Sequence, residues 1–261
     1  MVKNFITALQ FLTIFTVSKK HTTEEGDLAK SMVYFPVIGF LIGLILVYAD
    51  KFFTVAALPQ TIGNLLLLAL VALATRALHI DGLADTCDGI MGGKDHGSRL
   101  SIMKDSRLGT AGALSIMFVM FLKYLCLNNL YNSEKVAALL TAPMLGRWSQ
   151  TLMVFKANYG REDGMGRVFV GHLRSSGLIA ASVIAAGLTS FVIIREYGET
   201  LDPRSVFLVL SLISGVPVLT YVGKRYLVRK LGGVTGDAIG AMSELNEVLV
   251  FLLFVILSFG S

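Results

Sequence analysis

Four stretches of this chain carry no charged side chain: residues 31–49, 52–75, 175–194 and 205–223. At a helical rise of about 1.5 Å per residue each is about long enough to cross the roughly 30 Å hydrocarbon core of a bilayer. A chain of 261 residues with that many crossings has no length left for a separate soluble domain. Only 16% of the residues are charged, against about 25% in an ordinary soluble domain. The sequence therefore predicts an all-α, polytopic membrane bundle, residues 1–261 forming one embedded domain. Membrane helices are expected near 32–49, 61–80, 110–130, 135–155, 177–194, 205–222 and 240–259, about seven in all. The uncharged run 4–18, followed by Lys19 and Lys20, lacks a convincing small-residue cleavage site. It reads as a retained short helix over 4–17, re-entrant or interfacial. No internal repeat or low-complexity tract is evident, and two distant cysteines, Cys87 and Cys126, point to neither a disulfide framework nor a zinc site.

Orientation follows from the basic residues. The connections 18–31, 81–109, 156–176 and 223–237 hold 15 Lys and Arg; the opposite connections hold 4. The bias places the first set in the cytoplasm of a bacterial or archaeal cell, across its inner membrane. The net charge of +5 then reflects orientation, with no nucleic-acid partner implied. The unusual polar motifs fall on this same side.

The most informative of them is His79-Ile80-Asp81-Gly82-Leu83-Ala84-Asp85-Thr86-Cys87-Asp88-Gly89. If the second membrane helix continues through it, Asp81, Asp85 and Asp88 share one face over two turns. Three carboxylates so close repel one another, and a divalent cation is the simplest remedy. A solvated helix end is the plain alternative, but it does not call for helical spacing. Gly82 lacks bulk, so a ligand could approach the backbone there. Magnesium takes carboxylate oxygens together with substrate phosphate, which suits a diphosphate.

Three further groups fall on the same side. The stretch 102–112 offers Lys104, Asp105 and Arg107 and a glycine-rich helix start at Gly109, a phosphate-binding combination whose plain reading is positive-inside anchoring. The turn Gly232-Gly233-Val234-Thr235-Gly236-Asp237 precedes the last helix, with Glu244 and Glu247 further along. Acids entering a membrane helix are costly and imply function, or pairing with Arg76, Arg147 or Lys123. Arg76 and His79 stand one turn apart before Asp81; the arginine could hold a phosphate, and the histidine is a ligand candidate or an interfacial hydrogen-bonding residue. Residues 159–166, with Arg161, Glu162 and Asp163 among glycines, read as a flexible loop that could act as a lid.

The segments HIDGLADTCDGIMGG, IMKDSRLGTAG, GREDGMG and GGVTGDAIGAMSE, in this order and membrane context, resemble the cobalamin synthase family (adenosylcobinamide-GDP ribazoletransferase) over nearly the whole chain. One departure is visible: where the family carries an Arg-x-Pro element after the first helix, this chain reads Thr13-Ile14-Phe15-Thr16-Val17. The resemblance implies transfer of the phosphoadenosylcobinamide moiety from adenosylcobinamide-GDP to α-ribazole or its 5′-phosphate. GMP is released, Mg2+ is required, and the step belongs to nucleotide-loop assembly in cobalamin biosynthesis.

Together these readings nominate Asp81, Asp85 and Asp88 as metal ligands. Lys104, Asp105, Arg107, Asp237 and Glu244 are the catalytic candidates, with Asp105, Asp237 and Glu244 the choices for the proton acceptor. Arg76, His79, Gly82, Gly109 and Gly236 are nominated for substrate binding, and the size of a corrinoid implies an open cavity between helices. Two rivals use similar residues: a CDP-alcohol type lipid phosphotransferase, and a cation-coupled transporter, which would favour midplane acids and an internal repeat. Glycine-bearing helix faces permit a homo-oligomer.

Overall fold

The computed structural model describes residues 2–17, 25–161, 164–198 and 203–258. Lys19, Lys20, Glu162 and Asp163 lie outside them. Among the described residues the regular structure is all helical, apart from one isolated parallel bridge between Tyr159 and Val234. The helices are α1 (Val2–Leu12), α2 (Glu25–Ser31), α3 (Phe35–Val55), α4 (Gln60–Ala74), α5 (Leu78–Gly92) and α6 (His96–Ile102), then α7 (Thr110–Asn128), α8 (Asn132–Val154), α9 (Ser175–Tyr197), α10 (Pro203–Leu231) and α11 (Gly236–Ser258). Short 3-10 turns join α2 to α3 and precede α9.

Five of these stretches are long and apolar enough to cross a membrane: α2 through α3, α7, α9, α10 and α11. The pair α4 and α5 makes a sixth if counted together. The remaining expected crossing, 135–155, exists as the 23-residue α8 but fails on apolarity. The reason is its position. Nearly every side chain from Ala137 to Thr151 is buried, because α3, α9, α10 and α11 pack around it. It never meets lipid, so it can carry Arg147, Ser149 and Gln150. The outer helices do meet lipid: Val55, Leu73, Phe118, Val183 and Val218 stand exposed on them, as a hydrocarbon solvent permits and water does not. The 11-residue α1 spans about 16 Å, too short to cross.

The closest helix contact is α3 on α8. Gly39 and Gly43, four apart, lie against the backbone of Pro143–Met144 and of Leu139–Leu140; a Cβ at either would overlap a main-chain carbonyl. Small residues at this spacing let two membrane helices approach to backbone contact.

The second expected helix, 61–80, does not run straight through. It stops at Ala74, and α5 leaves its axis at 87°. The turn is made by Arg76 and Ala77, both left-handed at φ 54°. Two non-glycine residues in that conformation cost about 1–2 kcal/mol each. Local hydrogen bonds offset this: Ala77 N–H donates to Ala72 O at 2.7 Å, Arg76 Nη2 to Thr13 O at 3.0 Å, and Ile14 N–H to Ala74 O at 2.9 Å. The consequence is that α5 runs across the direction α4 sets, laying the aspartates over the ends of α7 and α11. The connection 81–109 is largely helix, made of the rest of α5 and of α6.

Candidate active site

A cavity of about 390 Å³ opens where α5, α8, α11 and the α8–α9 connection meet. Leu78 and His79 of α5 and Gln150 of α8 line it, with Gly236, Asp237, Ile239 and Gly240 from the start of α11. Tyr159, Arg161, Gly164 and Gly166 come from the α8–α9 connection. Three rings, Phe11, Phe35 and Phe169, form an apolar corner; Phe11 and Phe169 lie 4.7 Å apart and each is about 6.1 Å from Phe35. The connection is held to the α10–α11 turn by the bridge: Val234 N–H donates to Asn158 O at 2.9 Å and Gly160 N–H to Val234 O at 3.0 Å. That bridge brings Arg161 to Asp237, where Nη2 and Oδ2 are 2.7 Å apart. Thr235 supports the start of α11, its Oγ1 accepting from Ala238 N–H.

Asp81, Asp85 and Asp88 do share one helical face of α5. Asp81 is exposed and lines the cavity; Asp85 and Asp88 are half-buried behind it. Burial, together with the charges of Asp81, Asp237 and Asp88, pushes the Asp85 carboxyl up to about 7, against the opposing pull of Arg161. At Asp85 one guanidinium thus works against three other carboxylates. Asp88 has a further task. Its two oxygens accept from Gly109 N–H and Gly112 N–H, both at 2.8 Å, so it caps the start of α7. A Cβ on either glycine would fall on that carboxylate. Gly109 therefore holds Asp88 in place of a phosphate.

The other candidates separate. Asp237 and Gly236 line the cavity, as does His79. Gly82 packs its bare Cα against the backbone of Asp237, so the space expected for a ligand is filled by α11. Arg76 is exposed at the α4–α5 turn, spending its guanidinium on Thr13 O. Lys104 and Arg107 are exposed on the α6–α7 loop; Arg107 pairs with its neighbour Asp105 at 2.6 Å, which holds the Asp105 carboxyl down to about 2. None of these four lines the cavity.

Glu244 lies below it, in a sealed cluster. Lys123 Nζ meets Glu244 Oε2 at 2.6 Å and Glu247 Oε2 at 2.5 Å, and Arg147 donates to the other oxygen of Glu247. All four groups are at most 4% exposed, and two cations balance two anions. His79 joins the cluster to the cavity. Arg147 Nη2 lies 3.4 Å from its Nδ1, and the Gln150 amide 2.8 Å from its Nε2. A guanidinium only donates, so Nδ1 accepts and Nε2 carries the proton. The same end of the Gln150 amide lies 3.1 Å from Ser243 Oγ. Both ring nitrogens are occupied, which makes His79 a fixed neutral wall.

Among the described residues no three His, Cys, Asp or Glu side chains converge closely enough to cage a cation unaided. Magnesium does not need a cage: it takes one or two carboxylates, waters and substrate phosphate oxygens. The under-neutralised pair Asp81 and Asp85 fits that donor set. Sequence reasoning passed over Gln150, the phenylalanine corner and the reach of Arg161. That arginine sits among glycines and acids, the signature of a solvated loop, and only the bridge to Val234 reveals its destination.

Comparison with known proteins adds a family. A family model described as cobalamin-5-phosphate synthase matches residues 4–255. A Geotalea daltonii protein named adenosylcobinamide-GDP ribazoletransferase is 35% identical over 255 residues, covering 98% of each chain. Proteins of the same name from Clostridioides difficile and Fusobacterium nucleatum are 37% and 34% identical, again over 98% of each chain. No solved structure matches.

Proposed function

Because the chain belongs to the cobalamin-5-phosphate synthase family, we propose that this membrane-embedded transferase moves phosphoadenosylcobinamide from adenosylcobinamide-GDP to α-ribazole or its 5′-phosphate. The observation that carries the reading is the cavity wall where Asp81 and Asp237 face Arg161 beneath an aromatic corner. Its volume of about 390 Å³ suits the diphosphate and one nucleoside, with the corrin ring at the mouth.

Asp81 and Asp85 would hold magnesium, which when bound supplies charge neutralisation at the diphosphate. Arg161 contributes the fixed guanidinium for the oxygens that stay with the transferred phosphorus. An oxygen of the acceptor ribose forms the new bond to the cobinamide-side phosphorus, and the diphosphate P–O bond breaks as GMP departs with its electron pair. Of the three acids nominated to take the hydroxyl proton, Asp237 alone lines the cavity, and its pairing with Arg161 orients it. The clustered rings of Phe11, Phe35 and Phe169 offer the acceptor base an apolar face. The cavity opens on the end of the bundle richest in lysine and arginine, which supports a cytoplasmic active site.

The test uses purified protein in detergent with adenosylcobinamide-GDP, α-ribazole phosphate and magnesium, following GMP and corrinoid product by chromatography. Magnesium-dependent product from the wild type and none from Asp85→Asn is expected. Full activity of Asp85→Asn would move the metal elsewhere. No product from folded wild type would overturn the reaction.

A further inference from the structure

A second cavity, about 860 Å³, lies between the end of α8 and the second half of α10 and shares no lining residue with the first. Its charged lining is Lys156, Lys224, Arg225 and Arg229, with no carboxylate. Among the described residues none of the four makes an ion pair. Lys224 is half-buried and donates to Phe155 O, the C-terminal carbonyl of α8, at 2.5 Å. The two flanking cations rest on aromatic faces, Lys156 on Phe155 at 5.4 Å and Arg225 on Tyr221 at 5.8 Å. Orientation by the positive-inside bias needs cations near the membrane; it does not need four around one concavity.

The cavity continues into an apolar wall. Pro217 and Tyr221 line it, and α10, a crossing helix, exposes Leu210, Val218 and Val222 along the same chain. A dissolved anion would have no use for that wall. We propose that this cavity binds the phosphate of an anionic lipid head group, with the acyl chains lying along the exposed face of α10. Four unpaired cations at a membrane boundary attract such a head group from the bilayer surface, and the planar guanidiniums of Arg225 and Arg229 can each engage phosphate oxygens in pairs.

The experiment is native mass spectrometry of the full-length detergent-solubilised protein titrated with dioleoylphosphatidylglycerol. Dioleoylphosphatidylcholine and inorganic phosphate serve as separate arms. Two doubles are compared: Lys156→Gln with Arg229→Gln, which removes two exposed lining cations, and Lys94→Gln with Arg174→Gln, which removes two exposed cations elsewhere. The first is expected to weaken phosphatidylglycerol binding about thirtyfold and the second less than about threefold. Lys224→Arg should bind like wild type. Equal losses in both doubles would mean diffuse surface charge, and equal binding of phosphatidylcholine would remove the anionic head group; either overturns the proposal. So would displacement of the lipid by inorganic phosphate at matching concentration, which would identify a site for soluble anions.

Discussion

The molecule contains two clusters of charge a few turns apart, built from the same residue types and put to opposite use. In the sealed one, Lys123 and Arg147 cancel Glu244 and Glu247. Nothing is left over, and neither of the two cavities described above touches any of the four. In the open one, Asp81, Asp88 and Asp237 crowd Asp85 with Arg161 as the counter-charge, and a cavity lies against Asp81 and Asp237. Intramembrane acids invite a functional reading, and so do the rim acids. Balance separates them. A cluster that is electrically complete serves the fold, whereas one short of positive charge has capacity for a cation.

This contrast can be broken most decisively in the sealed cluster. Lys123→Met should leave two buried carboxylates facing one guanidinium and cost about 3–5 kcal/mol; thermal unfolding in detergent would show it, and a melting temperature close to wild type would mean that the cluster is not load-sharing. In the open cluster the balance of effects inverts. Asp81→Asn should lower the transfer rate by about a hundredfold or more while leaving the melting temperature unchanged or raised, since one of several repelling charges is gone. Loss of activity together with loss of fold would make the two clusters alike.

A smaller effect is expected at the seam between α5 and α7. Gly109→Ala drives a methyl into the Asp88 carboxylate and should cost about 1–3 kcal/mol, readable as earlier hydrogen exchange at the start of α7. The pH dependence is gentler still. A carboxyl held at about 7 in the fold, against its ordinary value of 3.8, keeps its proton longer in the native state. Its contribution to stability is therefore present at pH 4 and is lost as pH rises through about 7. Without magnesium the melting temperature should fall over that window, Asp85→Asn should flatten the fall, and added magnesium at pH 8 should reverse it. The weakest effect of all is reserved for the exposed pair: Arg107→Ala should leave melting unchanged, because solvent screens that contact on both sides.

The aspartate spacing was readable because helical periodicity is a local property, and Asp81, Asp85 and Asp88 lie on one face of α5 as their numbers imply. The helical membrane bundle was readable from uncharged runs for the same reason. The break at Arg76–Ala77 was not, since neither residue is a helix breaker and the left-handed turn is sustained by Thr13 and Ile14 far earlier in the chain. Nor could sequence separate Asp88, spent on the α7 backbone, from Asp81, which faces open space. Both are one aspartate among three, and the distinction lies in two amide groups contributed by glycines some twenty residues on. Glu244 was ambiguous between catalysis and pairing until Lys123 was found within hydrogen-bonding distance.

The lining of the first cavity runs from Phe11 to Gly240. A chain leaving the ribosome would therefore insert most of its crossings before this cavity was complete. The aspartates of α5 would wait, mutually repelling, until α11 arrived with Asp237 and the bridge at Val234 drew Arg161 over them. Truncated or stalled products would carry the bulk of the membrane architecture with the pocket left open on the side that Gly236, Asp237, Ile239 and Gly240 close. Proofreading of this protein during biogenesis thus reduces to one event, the docking of its last helix, and a nascent chain arrested before residue 236 should be catalytically silent however well its earlier helices are packed.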